Sequence, residues 1–296
     1  MSSTIVNPSN NRTLSILQKA KEGNYGVIGM VCYDMDSVMG FRDACEKANA
    51  PGIIMLFPIS ARYGGSQFVA FCRDIAHQAK VPMSLHMDHA VEIADIDFMF
   101  DIAEKQDIKL DSIMIDSSRC DTEEEGIAMV KKYVGRANKL GMAIEVELGR
   151  LEGGEAGLAA IAQGKQTDPD DADHFIKETG AQILAPSIGN LHGHYINPPN
   201  FNQEILKTLK STYAHTNTYI CLHGTDELPD SLFAESIKNG VTKMNMNSWM
   251  RDPYIAAYKQ ALIDGKPLPD VHTLGVKAFA DAAERFFTLF GSAGKA

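Results

Sequence analysis

Three histidines and an aspartate have the types and positions needed for a catalytic metal site. His89 follows Asp88 at the end of the apolar run PMSLHMD, His192 lies in SIGNLHGHY, and His223 lies near the end of YICLHG. A catalytic zinc ion takes three protein ligands, often imidazole nitrogens, and keeps one open position. We expect the three histidines to bind one Zn²⁺ if the fold brings them together. For each histidine taken alone, a buried, hydrogen-bonded side chain is the alternative.

Asp88 has the position of a catalytic base beside this cluster. A carboxylate next to a metal-bound carbonyl compound is suited to moving a proton at the carbon beside the carbonyl. The metal would polarise that carbonyl and stabilise the charge of the enediolate. Since alternate side chains of a strand share a face, His86 and Asp88 point the same way, and His89 leaves the strand at its end.

Eight short apolar runs alternate with longer helical patterns along the chain. The runs are 25–33, 51–57, 82–88, 111–116, 142–148, 181–187, 219–224 and 241–246. Strands that alternate with helices form parallel βαβ units, and eight of them favour a closed barrel over an open sheet. No GxGxxG follows the first run, which argues against a dinucleotide-binding fold. We therefore predict an α/β protein, a single (β/α)8 TIM barrel over residues 1–296.

Polar residues are concentrated at the carboxyl ends of these runs. They are Asp88, His89, Asp116, Glu145, Glu147, His192, His194, His223, Asn245, Asn247 and Ser248. In a TIM barrel the loops that follow the strands build the active site at this end. The barrel therefore predicts that histidines far apart in the sequence meet at one site.

The composition is that of an acidic globular protein. Hydrophobic residues make up 45% of the 296 residues, and the formal net charge is −10. Proteins that bind nucleic acids or anionic membranes need a basic surface, so we expect neither partner here. The five cysteines include no CxxC pair, and the N-terminus lacks the pattern of a secretion signal. We predict a cytoplasmic protein that acts on a small carbonyl substrate.

Several motifs, in order, resemble those of the zinc-dependent class II fructose-bisphosphate aldolases. SLHMDHA resembles LHxDH, MIDSS resembles MIDGS, AIEVELG resembles VExELG, and IGNLHGHY resembles xGxxHGxY. CLHG and KMNMNS resemble the beginning of LHGGSG and KxNxxT. The resemblance runs from about residue 25 to 260 and implies a TIM barrel that catalyses metal-dependent aldol cleavage and condensation.

The resemblance also implies roles for individual residues. Zinc ligands would be His89, His192 and His223, and Glu147 would hold a second or displaced metal; a monovalent cation site is a further possibility. Asp88 would be the proton-transfer base, and His86 would support the site. Contacts to the substrate would come from Asn245, Ser248, Gly193 and Gly224. The family also implies a homodimer or homotetramer.

Two loops depart from the family pattern. The phosphate-binding GGSG loop is replaced by GTDE, which places Asp226 and Glu227 where the family has glycine or serine. These carboxylates oppose anion binding unless they point away. The GGEED loop that carries the family's acid is GGEAG here, with Ala156 at the acid's position. Glu155 or Glu152 would replace it by loop movement, and otherwise a tyrosine, a water molecule or a substrate group would serve. We assign Glu155 as the catalytic acid.

Further departures affect the pocket and the segments around the barrel. Trp249 replaces the aspartate that often follows the strand-eight motif, and Val31, Met55 and Phe57 replace polar residues near the first two strands. We treat residues 1–20 as an N-terminal extension and 150–170 as a mobile active-site loop.

These features favour a class II-type aldolase whose donor is not dihydroxyacetone phosphate but a ketone, ketose or 2-oxo acid with little or no phosphate. The first alternative is a fructose 1,6-bisphosphate aldolase with a rearranged phosphate loop. The second is a metal-binding barrel without activity. A third is another metal-dependent lyase or hydrolase, in which Asp88 would activate water.

Overall fold

The computed structural model describes residues 5–154 and 159–296, and within them eight parallel strands close into a barrel. The barrel strands are β1 Val27–Val31, β2 Gly52–Leu56, β3 Met83–Ala90, β4 Ser112–Ile115, β5 Ala143–Leu148, β7 Ile183–Pro186, β9 Tyr219–Leu222 and β10 Val241–Met246; two further short strands, β6 Glu152–Gly153 and β8 Leu191–His192, form a separate pair. The order around the barrel is β1-β10-β9-β7-β5-β4-β3-β2. The predicted (β/α)8 barrel is therefore confirmed.

Helices connect the strands and surround the barrel. They are α1 Arg12–Gly23, α2 Met35–Ala48, α3 Pro58–Gln78, α4 Ile93–Gln106, α5 Glu123–Leu140, α6 Pro169–Thr179, α7 Gln203–Thr212, α8 Asp230–Lys238, α9 Ser248–Ile263 and α10 Leu268–Leu289. Helix α3 is kinked at Gly65, whose φ of 65° is not helical. Side-chain oxygens of Asn11, Asp34, Thr122 and Asp168 accept hydrogen bonds from the free amides at the starts of α1, α2, α5 and α6.

Helix α1 covers the amino-terminal end of the barrel. Leu14 and Leu17 are fully buried among residues inside the barrel, such as Tyr219. The Thr13 hydroxyl lies 3.0 Å from the hydroxyls of Ser84 and Ser112, at the beginning of β3 and β4. The helix closes this end, so the opposite end is the one where the polar strand ends meet.

Two short strands at the barrel mouth were not expected from the sequence. β6 pairs with β8 in parallel, and antiparallel bridges join Arg150 to Lys165 and Gly153 to Ile161. Much of the segment 150–170 is thereby held by backbone hydrogen bonds, and its mobility stays a prediction. Glu155 and Ala156 lie outside the described residues. In the described ranges, none of the helices combines the length and apolar character of a membrane span.

Candidate active site

Four side chains at the carboxyl ends of the strands converge on one point. Ligand atoms of His89, Glu147, His192 and His223 all lie within 4.8 Å of one another, and each side chain is buried. The ring centroids of His192 and His223 are each 4.9 Å from that of His89. These four residues, from β5, β8 and the ends of β3 and β9, form the metal cluster.

Three atoms of the metal cluster lack a hydrogen-bond partner within the described part of the chain. They are His89 Nε2, His223 Nδ1 and Glu147 Oε2, of which the last two lie 3.3 Å apart without forming a hydrogen bond. A buried polar atom without a partner costs about 1–3 kcal/mol, so its presence needs an explanation. Imidazole nitrogens and a carboxylate oxygen are the ligands that zinc prefers, and a bound ion would satisfy all three atoms. The residues present therefore fit a zinc ion.

The end of β3 brings two neighbouring residues into the site by leaving regular strand geometry. The pairing of β3 with β4 shifts between Met87 and Ala90, and His89 has a φ of 52°. A positive φ is unfavourable for a residue with a Cβ atom and persists where the surrounding structure fixes it. In a regular strand Asp88 and His89 would point to opposite faces. The irregularity allows both to reach the barrel mouth.

Asp116, just after β4, orients His89. His89 Nδ1 lies 2.8 Å from Asp116 Oδ2, while Asp116 Oδ1 accepts hydrogen bonds from the backbone and hydroxyl of Ser118. Because a carboxylate only accepts, Nδ1 carries a proton and Nε2 faces the cluster. Burial lowers the pKa of His89, but Asp88 and Asp116 outweigh it and raise that pKa to about 9. A metal ion would therefore displace the second proton from Nε2 when it binds.

A buried charge pair orients His223 in the same way. His223 Nε2 lies 2.9 Å from Glu145 Oε1, and Lys243 Nζ donates to Glu145 Oε2 at 2.8 Å. All three side chains are at most 1% exposed. Burial raises the pKa of Glu145, but the Lys243 ammonium lowers it well below its ordinary value. Because the Glu145 carboxylate can only accept, Nε2 of His223 carries the proton and Nδ1 is left for the metal, although Asn245 Nδ2 also lies 3.0 Å from Nε2.

Asp88 lies beside the metal cluster as a buried carboxylate. Asn245 Nδ2 is 3.2 Å from both of its oxygens, and Cys221 Sγ donates to Asn245 Oδ1 at 3.1 Å. Burial raises the pKa of Asp88, but His89, His223 and Lys243 lower it below its ordinary value. Asp88 is thus held as an anion, the form required of a base.

His86 lies below the cluster and is not one of its four members. Its Nδ1 is 2.8 Å from the Ser112 hydroxyl, and its Nε2 is 3.6 Å from Glu145 Oε2 and 3.9 Å from Asp88 Oδ1. Burial and the nearby Lys243 lower the pKa of His86 to about 3, so it is neutral. This placement agrees with a supporting role.

Sequence reasoning assigned no role to Asp116, Glu145 or Lys243. Lys243 carried the clearest signal, because a lysine in the apolar run VTKMNM needs a buried carboxylate as its partner. Which carboxylate it meets depends on the barrel, since Glu145 is 98 residues away in the chain.

A cavity of about 320 Å³, the donor cavity, lies at the mouth on one side of the metal cluster. Its lining includes Tyr33, Phe57, Ile59, Gly193, Asp226, Asn247, Ser248 and Arg251. The volume is in the range of small-molecule sites. Phe57 is also part of the apolar group that contains buried Val31 and Met55. One wall of the donor cavity is therefore apolar, in agreement with the departures noted in the sequence.

The two carboxylates of the loop after β9, those of Asp226 and Glu227, point in different directions. Asp226 lines the donor cavity and accepts a hydrogen bond from the Ser248 hydroxyl. Glu227 turns to the exposed His194, with 2.7 Å between Oε1 and Nδ1. Trp249 Nε1 donates to Thr225 O at 2.8 Å, which ties α9 to the loop. Asp226 is thus the carboxylate that a ligand in this cavity would meet.

The two predicted glycine contacts have different positions. Gly193 lines the donor cavity. Gly224 has a φ of 63°, and a Cβ atom there would lie 2.3 Å from Leu191 O. Its lack of a side chain therefore allows the loop after β9 to approach the backbone of β8.

Known proteins share this fold and sequence over nearly the whole chain. The profile of the family described as fructose-bisphosphate aldolase class-II matches residues 11–295. The fructose-bisphosphate aldolase of Streptococcus pyogenes serotype M1 is 31% identical in an alignment of 299 positions, gaps included, that covers 95% of this chain and 97% of that protein. The uncharacterized protein YdjI of Escherichia coli K12 is 29% identical over 280 residues, covering 94% of this chain and 96% of YdjI.

Two crystal structures of related proteins superpose closely. That of a Coccidioides immitis protein assigned as a fructose-1,6-bisphosphate aldolase has a TM-score of 0.90 and 29% identity, and covers 96% of this chain and 98% of its own. That of the YdjI aldolase of E. coli K12 has a TM-score of 0.81 and 27% identity, with the same coverage of 96% and 98%.

Proposed function

The chain belongs to the class II fructose-bisphosphate aldolase family, and on this premise we propose that it is a zinc-dependent aldolase whose donor is not dihydroxyacetone phosphate. The donor would be a ketone, a ketose or a 2-oxo acid with little or no phosphate. The observation that carries the choice of donor is the Asp226 carboxylate, which lines the donor cavity. Membership of the family supports the carbon–carbon lyase reaction itself.

The residues of the chain divide the chemistry among them. His89, His192 and His223 would hold the zinc and leave its fourth position to the substrate, and Glu147 would hold a second or displaced metal. When bound, the ion polarises the donor carbonyl and stabilises the enediolate charge. Asp88 takes the proton from the donor carbon. Its anionic state, maintained by the neighbouring histidines and Lys243, leaves it ready to accept that proton.

Asn245 would bind the substrate oxygen beside the base. Its amide is already fixed, because Cys221 donates to its oxygen and its nitrogen faces Asp88. A fixed amide stabilises charge as it develops without the cost of reorientation. Glu155 stays our proposal for the acid that serves the aldehyde oxygen, and Gly193 and Ser248 for substrate contacts.

The donor cavity opposes a phosphate dianion in two ways. Asp226 brings a negative charge to the wall, and like charges at close range are unfavourable when water is excluded. The Ser248 hydroxyl, which would donate to a phosphate oxygen, donates to Asp226 instead. A neutral hydroxyl or carbonyl group avoids the repulsion, and a 2-oxo acid avoids it where its carboxylate lies at the metal and not beside Asp226.

The names of the relatives favour a second candidate, cleavage of fructose 1,6-bisphosphate, since the S. pyogenes protein is named a fructose-bisphosphate aldolase. Proton exchange at the donor carbon distinguishes the two. Zinc-loaded protein would be incubated in D₂O with hydroxyacetone, dihydroxyacetone, pyruvate or dihydroxyacetone phosphate, and exchange followed by NMR. We expect faster exchange with at least one unphosphorylated donor.

Preferential exchange of dihydroxyacetone phosphate, together with robust cleavage of fructose 1,6-bisphosphate, would overturn the proposed donor class. Absence of zinc binding would overturn the metal-dependent reaction and leave a barrel without this activity. Assembly as a homodimer or homotetramer and a cytoplasmic location are further proposals, which light scattering and cell fractionation test.

A further inference from the structure

Arg119 is partly exposed at the edge of a cavity beside the metal cluster, whose volume of about 10 Å³ admits no more than one water-sized group, so a larger ligand would meet Arg119 from the open side. The residues around this cavity include His89, Glu147 and His192, three of the four candidate ligands, together with Asp116, Ser118 and Ile161. Arg119 lies just after β4. Asn245 lies in β10, and α9, whose first residue Ser248 lines the donor cavity, comes directly after β10. In the barrel order, β4 and β10 are four strands apart in either direction, so they lie across the barrel from each other.

The guanidinium of Arg119 has most of its hydrogen-bonding capacity left. Over the ranges that the structure describes, it donates one hydrogen bond, from Nη2 to Ala159 O at 2.8 Å, and forms no ion pair. Asp116 lines the same cavity, but its oxygens accept from His89 and Ser118. Arg251, in the donor cavity, differs because it is paired with Asp252 at 2.8 Å.

An arginine in this position suits one kind of ligand. A guanidinium has five N–H donors in a planar fork that matches the two oxygens of a carboxylate or phosphate. The single contact to Ala159 uses one of these five donors. A purely structural role in holding the loop would not require the other four. The Asp116 and Glu147 carboxylates, which line the same cavity, balance the charge of a divalent cation held there, so the positive charge of Arg119 is left for a further anion.

We infer that Arg119 binds an anionic group, a carboxylate or a phosphate, on the aldehyde half of the aldol substrate. This inference rests on the proposed aldolase function, because it places the donor half on the β10 side of the metal and the aldehyde half on the β4 side. The aldehyde released by cleavage is then an aldehyde acid or a phosphorylated aldehyde. Arg119 thereby determines specificity for the half of the substrate that Asp226 does not contact.

Calorimetry with unreactive probes tests the inference without turnover. Zinc-loaded protein would be titrated with glycerol 3-phosphate, with glycerate and with glycerol, which share a carbon skeleton and differ in charge. We expect at least one anion to bind at least about tenfold more tightly than glycerol. Arg119→Gln should weaken binding of that anion by about 10- to 100-fold, the usual value of a charge-assisted contact, and Arg119→Lys should weaken it less.

Arg73→Gln is the matched control. Arg73 lies on α3 and pairs with the exposed Asp74, so this variant removes the same charge away from the mouth. Equal zinc content and circular dichroism would be verified for every variant. The inference is overturned if neither anion binds more tightly than glycerol, if Arg119→Gln binds like the wild type, or if Arg73→Gln loses as much affinity.

The probe that responds also identifies the anion. Loss of glycerate binding in Arg119→Gln indicates an aldehyde acid, and loss of glycerol 3-phosphate binding indicates a phosphorylated aldehyde. Failure of the inference and failure of the proposed function give different results. A protein without proton exchange on any donor contradicts the aldolase proposal, whereas normal exchange with unchanged anion affinity in Arg119→Gln contradicts only the role of Arg119.

Discussion

Replacing Lys243 by methionine removes the lysine that faces Glu145 in the barrel interior and leaves His223 as the other partner of that carboxylate. Both Lys243 and Glu145 are fully buried, and Lys243 Nζ lies 2.8 Å from Glu145 Oε2. Methionine keeps an unbranched apolar chain but leaves Glu145 without its lysine counter-ion where no water can replace it. Removal of one partner of a buried pair costs about 3–5 kcal/mol, and we expect Lys243→Met to lower the free energy of unfolding by that amount.

The expected loss of stability is large because the Glu145 carboxylate cannot move without breaking another contact. Its second oxygen accepts from His223 Nε2 at 2.9 Å, so moving the carboxylate would leave that nitrogen unsatisfied as well. The double variant Lys243→Met/Glu145→Gln removes both charges and keeps an amide oxygen for His223. We expect it to regain about half or more of the lost stability, because the cost arises from the isolated charge and not from the absence of the pair.

Guanidinium chloride unfolding of the metal-free protein, followed by circular dichroism, measures these differences. Lys277→Met is the matched control, because Lys277 pairs with Asp281 on a helix surface and its side chain is 68% exposed. An exposed pair contributes little, so that variant should stay within about 0.5 kcal/mol of the wild type. Two results would contradict this explanation of the buried pair. One is a free energy of unfolding for Lys243→Met within about 1 kcal/mol of the wild type, and the other is a double variant less stable than Lys243→Met.

Four further perturbations test the site. Asp116→Asn should weaken zinc binding by about 10- to 100-fold, since it removes the carboxylate that orients His89; competition with a chelating dye measures this, and unchanged affinity contradicts the orienting role. Asp88→Asn should keep its zinc while proton exchange at the donor carbon falls by about 10²- to 10⁴-fold, and exchange at the wild-type rate excludes Asp88 as the base. Asp226→Ser should raise the exchange of dihydroxyacetone phosphate relative to hydroxyacetone by about tenfold or more, because it removes a like charge; an unchanged ratio means that Asp226 does not select the donor. Restoring zinc to chelator-treated protein at about 100 times its Kd should add about 2.7 kcal/mol to the free energy of unfolding, and no change would count against a zinc site.

The barrel was predictable because its signal is local. Each of the eight barrel strands coincides with a predicted apolar run, and only β3 extends past its run, to Ala90. Alternation of strand and helix is a property of neighbouring residues, and it limits the topology to a few choices. The pair β6 and β8 gave no such signal, because two-residue strands have no periodicity.

The candidate ligands were predictable for a related reason. A histidine or carboxylate at the end of an apolar strand is unusual, and the barrel sends all such ends to one face. The orientation of each ligand was not predictable. Whether His89 presents Nδ1 or Nε2 depends on Asp116, and the two meet only when β3 and β4 are adjacent. The left-handed conformation of His89 likewise depends on the shift in pairing between these strands.

The sequence by itself determined the fold class and indicated the histidines that can bind a metal and the aspartate beside them, since these follow from residue type and periodicity along the chain. Only the tertiary structure decided which of two adjacent carboxylates faces the donor cavity, where Asp226 turns inward to Ser248 and Glu227 turns outward to His194. It also paired Lys243 with Glu145 and left Arg119 beside the metal cluster without an ion pair among the described residues. The physical reason is that hydrogen bonds and charge pairs act over a few ångströms in space, whatever the separation of their members along the chain.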